Sequence, residues 1–143
     1  MFYKLRFVLL FLFPSMYVWG QSDSMAGRAE DLLGYCKSKF ADGSLSPGEA
    51  KAAAANASAA DAVAGMRCVA YLAGFVHGTL SIQTADNTMR GVPNVICYPP
   101  VGISTEQTRR IVVKWLEDHP ERLHNEAALE VFFAILNAFP CKK

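Results

Sequence analysis

Past its first twenty residues the chain repeats its apolar positions in threes and fours. Met25, Ala29, Leu32, Leu33, Cys36 and Phe40 keep this spacing and predict a first helix behind Ser24. ADGSLS breaks the pattern at Gly43. Ser46-Pro47-Gly48-Glu49 then has the form of a helix start: a serine cap, proline at the first helical position, and a glutamate three after the serine. The run EAKAAAANASAADAVAG favours helix strongly but offers little apolar bulk, which predicts a weakly packed arm. CVAYLAGFVHGTL predicts a better-buried helix, with Leu72, Phe75, Val76 and Leu80 for bulk. Ala70, Gly74 and Gly78 lie four apart on one face, where small residues would let another backbone come close. His77, alone in this helix, fits a packed and hydrogen-bonded side chain better than a catalytic one.

From Thr84 to Ile103 the period fails. ADNTMRGVPNVICYPPVG is rich in glycine, proline and asparagine, and predicts a loop of about twenty residues, a length that often carries function. Ser104 or Thr105 then caps TEQTRRIVVKWLED, whose apolar face is Ile111, Val112, Trp115 and Leu116. The last helical stretch sets Leu123, Ala127, Ala128, Val131, Phe132, Ile135, Leu136 and Phe139 on one broad stripe. The pattern predicts an all-α fold, a small bundle of about four to five helices.

Between the last two helices, LEDHPERLH gathers two histidines and four charged side chains around Pro120. A metal site would want two histidines on one helical face, and His119 and His124 are five apart across a break. Acid–base work would want paired carboxylates facing a pocket, whereas Glu117, Asp118 and Glu121 crowd an exposed turn. Pro120 turns His119 out of helical conformation and suits the start of the next element, where Glu121 meets a favourable helix dipole. The stretch reads as a corner.

The first twenty residues have the layout of a secretory signal: Lys4 and Arg6, an apolar run FVLLFLF, then Val18 and Gly20 as the small residues before a cut. Residues 7–19 are too short to span a bilayer, which takes about 20 apolar residues. Residues 1–20 are therefore expected to be removed, leaving 21–143 as the working domain, with no membrane attachment afterwards. Loss of Lys4 and Arg6 leaves 12 of the 14 basic residues against 13 acidic ones. With neither net charge nor a basic stripe, nucleic acid is a poor partner. Export also sets the chemistry of Cys36, Cys68, Cys97 and Cys141. They form no CxxC pair, so zinc is not indicated, and two disulfides are expected in an oxidising compartment. Three pairings are open. Cys36–Cys68 with Cys97–Cys141 is favoured, because it fixes both the irregular stretch around Cys97 and the fraying end at Cys141. No nucleophile motif, metal-binding set, phosphate loop or cofactor signature is visible, so neither an enzyme nor a cofactor is expected.

CVAYLAGFVHG, the step Cys97–Pro99, and VVKWLEDHPERLHNEAALEVFFAILNAFPC together resemble the Rap/Tai immunity domain, over about residues 32–141. The resemblance implies a periplasmic, disulfide-bonded helical protein, often a homodimer, that binds and blocks a peptidoglycan amidase effector of a type VI secretion system. It further implies that a protruding segment plugs the effector's groove. In this chain that segment is expected at 84–94, with Thr84, Asp86, Asn87, Met89 and Arg90 as partner-binding residues and Met89 and Arg90 as anchors. A periplasmic acid-stress chaperone is the alternative, with His77, His119 and His124 gaining charge as pH falls.

Overall fold

In a computed structural model the described residues are 27–38, 41 and 45–141. The expected signal segment 1–20, Ser24, Met25, Phe40 and Gly43 lie outside them. Five α-helices follow in order: α1 (Ala29–Cys36), α2 (Pro47–Asn56), α3 (Ala59–Arg90), α4 (Thr105–Asp118) and α5 (Ala127–Ala138), with a short 3-10 turn at Pro120–Arg122. The all-α expectation holds, and so does the pairing of cysteines: Cys36 to Cys68 and Cys97 to Cys141.

α1 is short, and its start is set from a distance. Arg28 precedes it in extended conformation. The free amides of its first turn, on Ala29 and Glu30, donate to the carbonyls of Asn125 (2.9 Å) and Leu123 (3.0 Å). A helix leaves its first four N–H groups without internal partners, and here the corner before α5 supplies two of them. α2 begins as expected. Ser46 Oγ accepts from the Glu49 amide, and the Glu49 carboxylate accepts from the Ser46 amide at 2.9 Å. None of its residues is buried, in keeping with a weakly packed arm. The Ala-rich run is not continuous, however. Ser58 repeats the same device with Asp61 and opens α3.

α3 is the spine. Its Gly65, Cys68, Leu72 and Val76 turn inward, and it packs against α1 and α4. Leu32, Cys36, Val112, Leu116, Val131 and Ile135 complete the core with them. This orientation overturns the expectation for the small-residue face. A Cβ on Gly74 or Gly78 would meet nothing within 4 Å, and Ala70 is exposed. Leu72 and Val76, with Phe75 partly buried, took the inward face because they remove more apolar surface from water, leaving the small series outside. Leu80, expected among the bulk, is 39% exposed. His77 is likewise exposed rather than packed.

The corner is a corner, built around a carboxylate that the periodicity did not single out. Glu130 in α5 is fully buried. Its Oε2 accepts from Trp115 Nε1 (2.9 Å) and Arg122 Nη1 (3.3 Å), and its Oε1 accepts from Asn125 Nδ2 (2.7 Å). His119 stacks on the Trp115 ring at 4.0 Å, its Nδ1 2.8 Å from the Trp115 carbonyl. Arg122 lies over both Trp115 and Phe133. Burial alone would push the Glu130 carboxyl up; the bonds from Trp115 and Asn125 and the Arg122 charge overcome it and hold the group below its ordinary 4.5.

Candidate partner-binding surface

The segment expected to be a loop from Thr84 is helix as far as Arg90. Polar side chains that suggested turns are satisfied inside the helix instead. Thr84 Oγ1 donates to the Leu80 carbonyl at 2.8 Å, and Arg90 pairs with Asp86 at 3.5 Å. The stop comes at Gly91, whose φ of 65° is left-handed and open to glycine at little cost. The amides of Gly91 and Val92 then donate to the carbonyls of Asn87 and Asp86, and Asn87 Nδ2 donates to the Val92 carbonyl. Of the five residues expected to bind a partner, four are thus engaged in ending the helix or bracing its last turns. Met89, 82% exposed, is the one apolar side chain among them offered outward.

The irregular segment runs from Gly91 to Ser104, and it is fixed at several points. Gln83 Oε1 accepts from the amides of both Val95 (2.9 Å) and Ile96 (2.8 Å), so one side chain of α3 brackets the extended stretch. Ile96 is buried and bridges to Pro140. The Cys97 amide donates to the Phe139 carbonyl at 2.9 Å, and its sulfur is bonded to Cys141. The Tyr98 hydroxyl lies 2.9 Å from Thr79 Oγ1, and its ring stands 6.0 Å from Phe139. Burial pushes the Tyr98 hydroxyl's pKa up, the Thr79 bond opposing, so it stays protonated at neutral pH. A turn at Pro99–Gly102, closed by the Gly102 amide on the Pro99 carbonyl at 2.8 Å, then carries Val101 out to 96% exposure.

Val101 therefore contributes nothing to the core, while the support beneath it is constrained at several points. Val92 and Val95 are exposed on the same segment, with Met89 at the end of the helix that braces it. Sequence periodicity missed Gln83, Val95 and Val101, and only the proline pair at 99–100 hinted at the turn. Elsewhere, a cleft of about 510 Å³ lies where α1 ends and α2 and α3 meet, lined by Lys37, Ser38, Asp61, Asn56 and alanines. Among the described residues its lining holds no histidine or cysteine and one carboxylate, Asp61. Among the described residues no cluster of three histidines, cysteines or carboxylates could hold a metal.

A family model described as Rap1a immunity proteins matches residues 28–141, nearly all of the described chain. The chain belongs to the Rap1a immunity protein family. As a Rap1a immunity protein it acts against a secreted effector, which it meets by binding. The matched stretch takes in both disulfides, the Glu130 corner and the whole of the braced segment. Comparison with curated proteins and with solved structures gave no match.

Proposed function

We propose that this Rap1a immunity protein is exported to the periplasm and there binds and blocks a peptidoglycan amidase delivered by a type VI secretion system. The end of α3 and the segment 91–104 form the contact surface. The observation that carries the reading is Val101, an apolar side chain held almost wholly in water by a turn that a disulfide, Gln83 and Tyr98 keep in place. A side chain already fixed in position loses little freedom when a partner covers it, so most of the gain from burial is kept as affinity. Inhibition is by occlusion, with Val101 and Met89 filling apolar depressions of the amidase groove.

The proposal includes a homodimer. Residues 68–85 contain no Asp, Glu, Lys or Arg, and the outward Ala70, Gly74 and Gly78 would let the α3 of a second copy approach without facing like charge.

The test pairs the exported protein with amidase effectors in a peptidoglycan-cleavage assay. Wild type inhibits; Val101→Asp and Met89→Asp each weaken inhibition at least about tenfold while stability stays within about 0.5 kcal/mol, as for other exposed positions. Full inhibition by both variants would remove the proposed surface. No inhibition of any amidase by the wild type would remove the amidase.

A further inference from the structure

The two disulfides sit in opposite surroundings. Cys36 and Cys68 are both fully buried between α1 and α3, among the core residues. Cys97 is exposed and Cys141 only half-buried. Thiol–disulfide exchange begins with a thiolate reaching one sulfur, so access governs its rate. The bonds also hold different things. Cys36–Cys68 joins two helices of the core. Cys97–Cys141 joins the segment 91–104, whose one fully buried residue is Ile96, to the stretch after α5. Removing the first loosens the bundle; removing the second frees a surface segment.

We infer that Cys97–Cys141 is a redox latch on the partner-binding segment, opened by a dithiol reductant while Cys36–Cys68 and the helical core stay intact. The reductant's thiolate attacks Sγ of Cys97, forming a mixed disulfide, and Cys141 leaves as a thiolate. The reductant's second thiol then displaces Cys97. Two electrons pass to the protein, the dithiol ends as its own disulfide, and two cysteine thiols result. The opened segment keeps the Gln83 bracket and the Tyr98–Thr79 contact but loses its covalent tie. Its Val101 turn is then held by those contacts alone and less firmly positioned for a partner. Resting on the proposed function, the consequence is that the protein becomes fully competent to bind only in an oxidising compartment, and is a poor binder wherever dithiols are kept reduced.

The experiment uses the oxidised full chain under native conditions, with dithiothreitol as the dithiol. Samples are trapped with iodoacetamide over time, the labelled cysteines are located by peptide mass spectrometry, and far-ultraviolet circular dichroism is recorded in parallel. Cys97 and Cys141 are expected to label at least about tenfold faster than Cys36 and Cys68, with the helical signal unchanged once the first pair is fully labelled. Equal labelling of all four, or loss of helix together with the first pair, overturns the latch. The double variant Cys97→Ser/Cys141→Ser gives a second readout: it should still melt cooperatively with a native helical signal, and an unfolded variant counts against the inference. Neither readout involves an amidase, so a failed partner search leaves this result standing, and a failed latch leaves the amidase test standing.

Discussion

Glu130→Gln tests the claim that the corner before α5 is organised by one charge. The native carboxylate accepts from Trp115, Arg122 and Asn125, using both oxygens. Glutamine keeps the shape and one oxygen but replaces the other with an NH2. Either a donor faces a donor, or Asn125 turns its own amide to accept from the new NH2 and the charge-assisted bonds become neutral ones; both weaken the corner. A buried donor left unmatched costs about 1–3 kcal/mol. For a domain of this size that lowers Tm by about 4–12 °C, taking roughly 4 °C per kcal/mol. Glu130→Ala, which removes the acceptor of all three donors, is expected to cost more than Glu130→Gln. The pH dependence sharpens the test. Glu130 has its folded pKa below the ordinary 4.5, so its stabilisation is fully present above that value and is lost as pH falls through the lower folded value. Glutamine does not titrate. The gap in unfolding free energy between wild type and Glu130→Gln is therefore widest at neutral pH and closes in acid. Urea unfolding followed by Trp fluorescence at pH 7, 5, 4 and 3 reads both effects. Equal stability at pH 7, or a gap that stays constant down to pH 3, would refute the reasoning.

Two further outcomes follow from the same structure. Gln83→Ala removes the shared acceptor of the Val95 and Ile96 amides; Ile96 is buried, so about 1–2 kcal/mol is lost locally. Hydrogen exchange should show both amides losing protection while those in the middle of α4 keep theirs. Gly74→Leu, in open space on the outward face of α3, replaces a poor helix former with a good one and should raise stability by about 0.5–1 kcal/mol in dilute protein. The same change should weaken self-association at high concentration, measured by sedimentation; a large loss of stability in the dilute sample would mean that this face is packed within one chain.

Much of the architecture could be read before any coordinates. Ser46 with Glu49, Ser104 ahead of α4, and Pro120 at the corner all act as their residue types predict, because caps and prolines work over three or four neighbouring residues. Of the three disulfide pairings the sequence left open, the favoured one is the one formed. What stayed hidden depends on contacts made across the fold. The start of α1 is fixed by carbonyls at 123 and 125. The last turns of α3 were hidden because Thr84, Asp86 and Asn87 suit turns as well as helix ends, and a left-handed Gly91 decided between them. Ala70, Gly74 and Gly78 showed a small face without showing which way it pointed. Glu130 was hidden most completely, since a charged residue on an apolar stripe declares itself only when its partners arrive from other elements. At the candidate surface, residues 84–90 were expected to be loop and are helix, and the exposed Val101 was not singled out.

The hydrogen bonds from Ala29 and Glu30 to Asn125 and Leu123, and from the Ala127 amide to the Gly27 carbonyl, tie the opening of the domain to its closing stretch. A ribosome must therefore deliver nearly the whole polypeptide before the first helix has its end sealed. Until then the amides that open α1 are without the carbonyls that satisfy them in the finished fold. Late closure of this kind slows folding, since distant segments must find each other before either is complete.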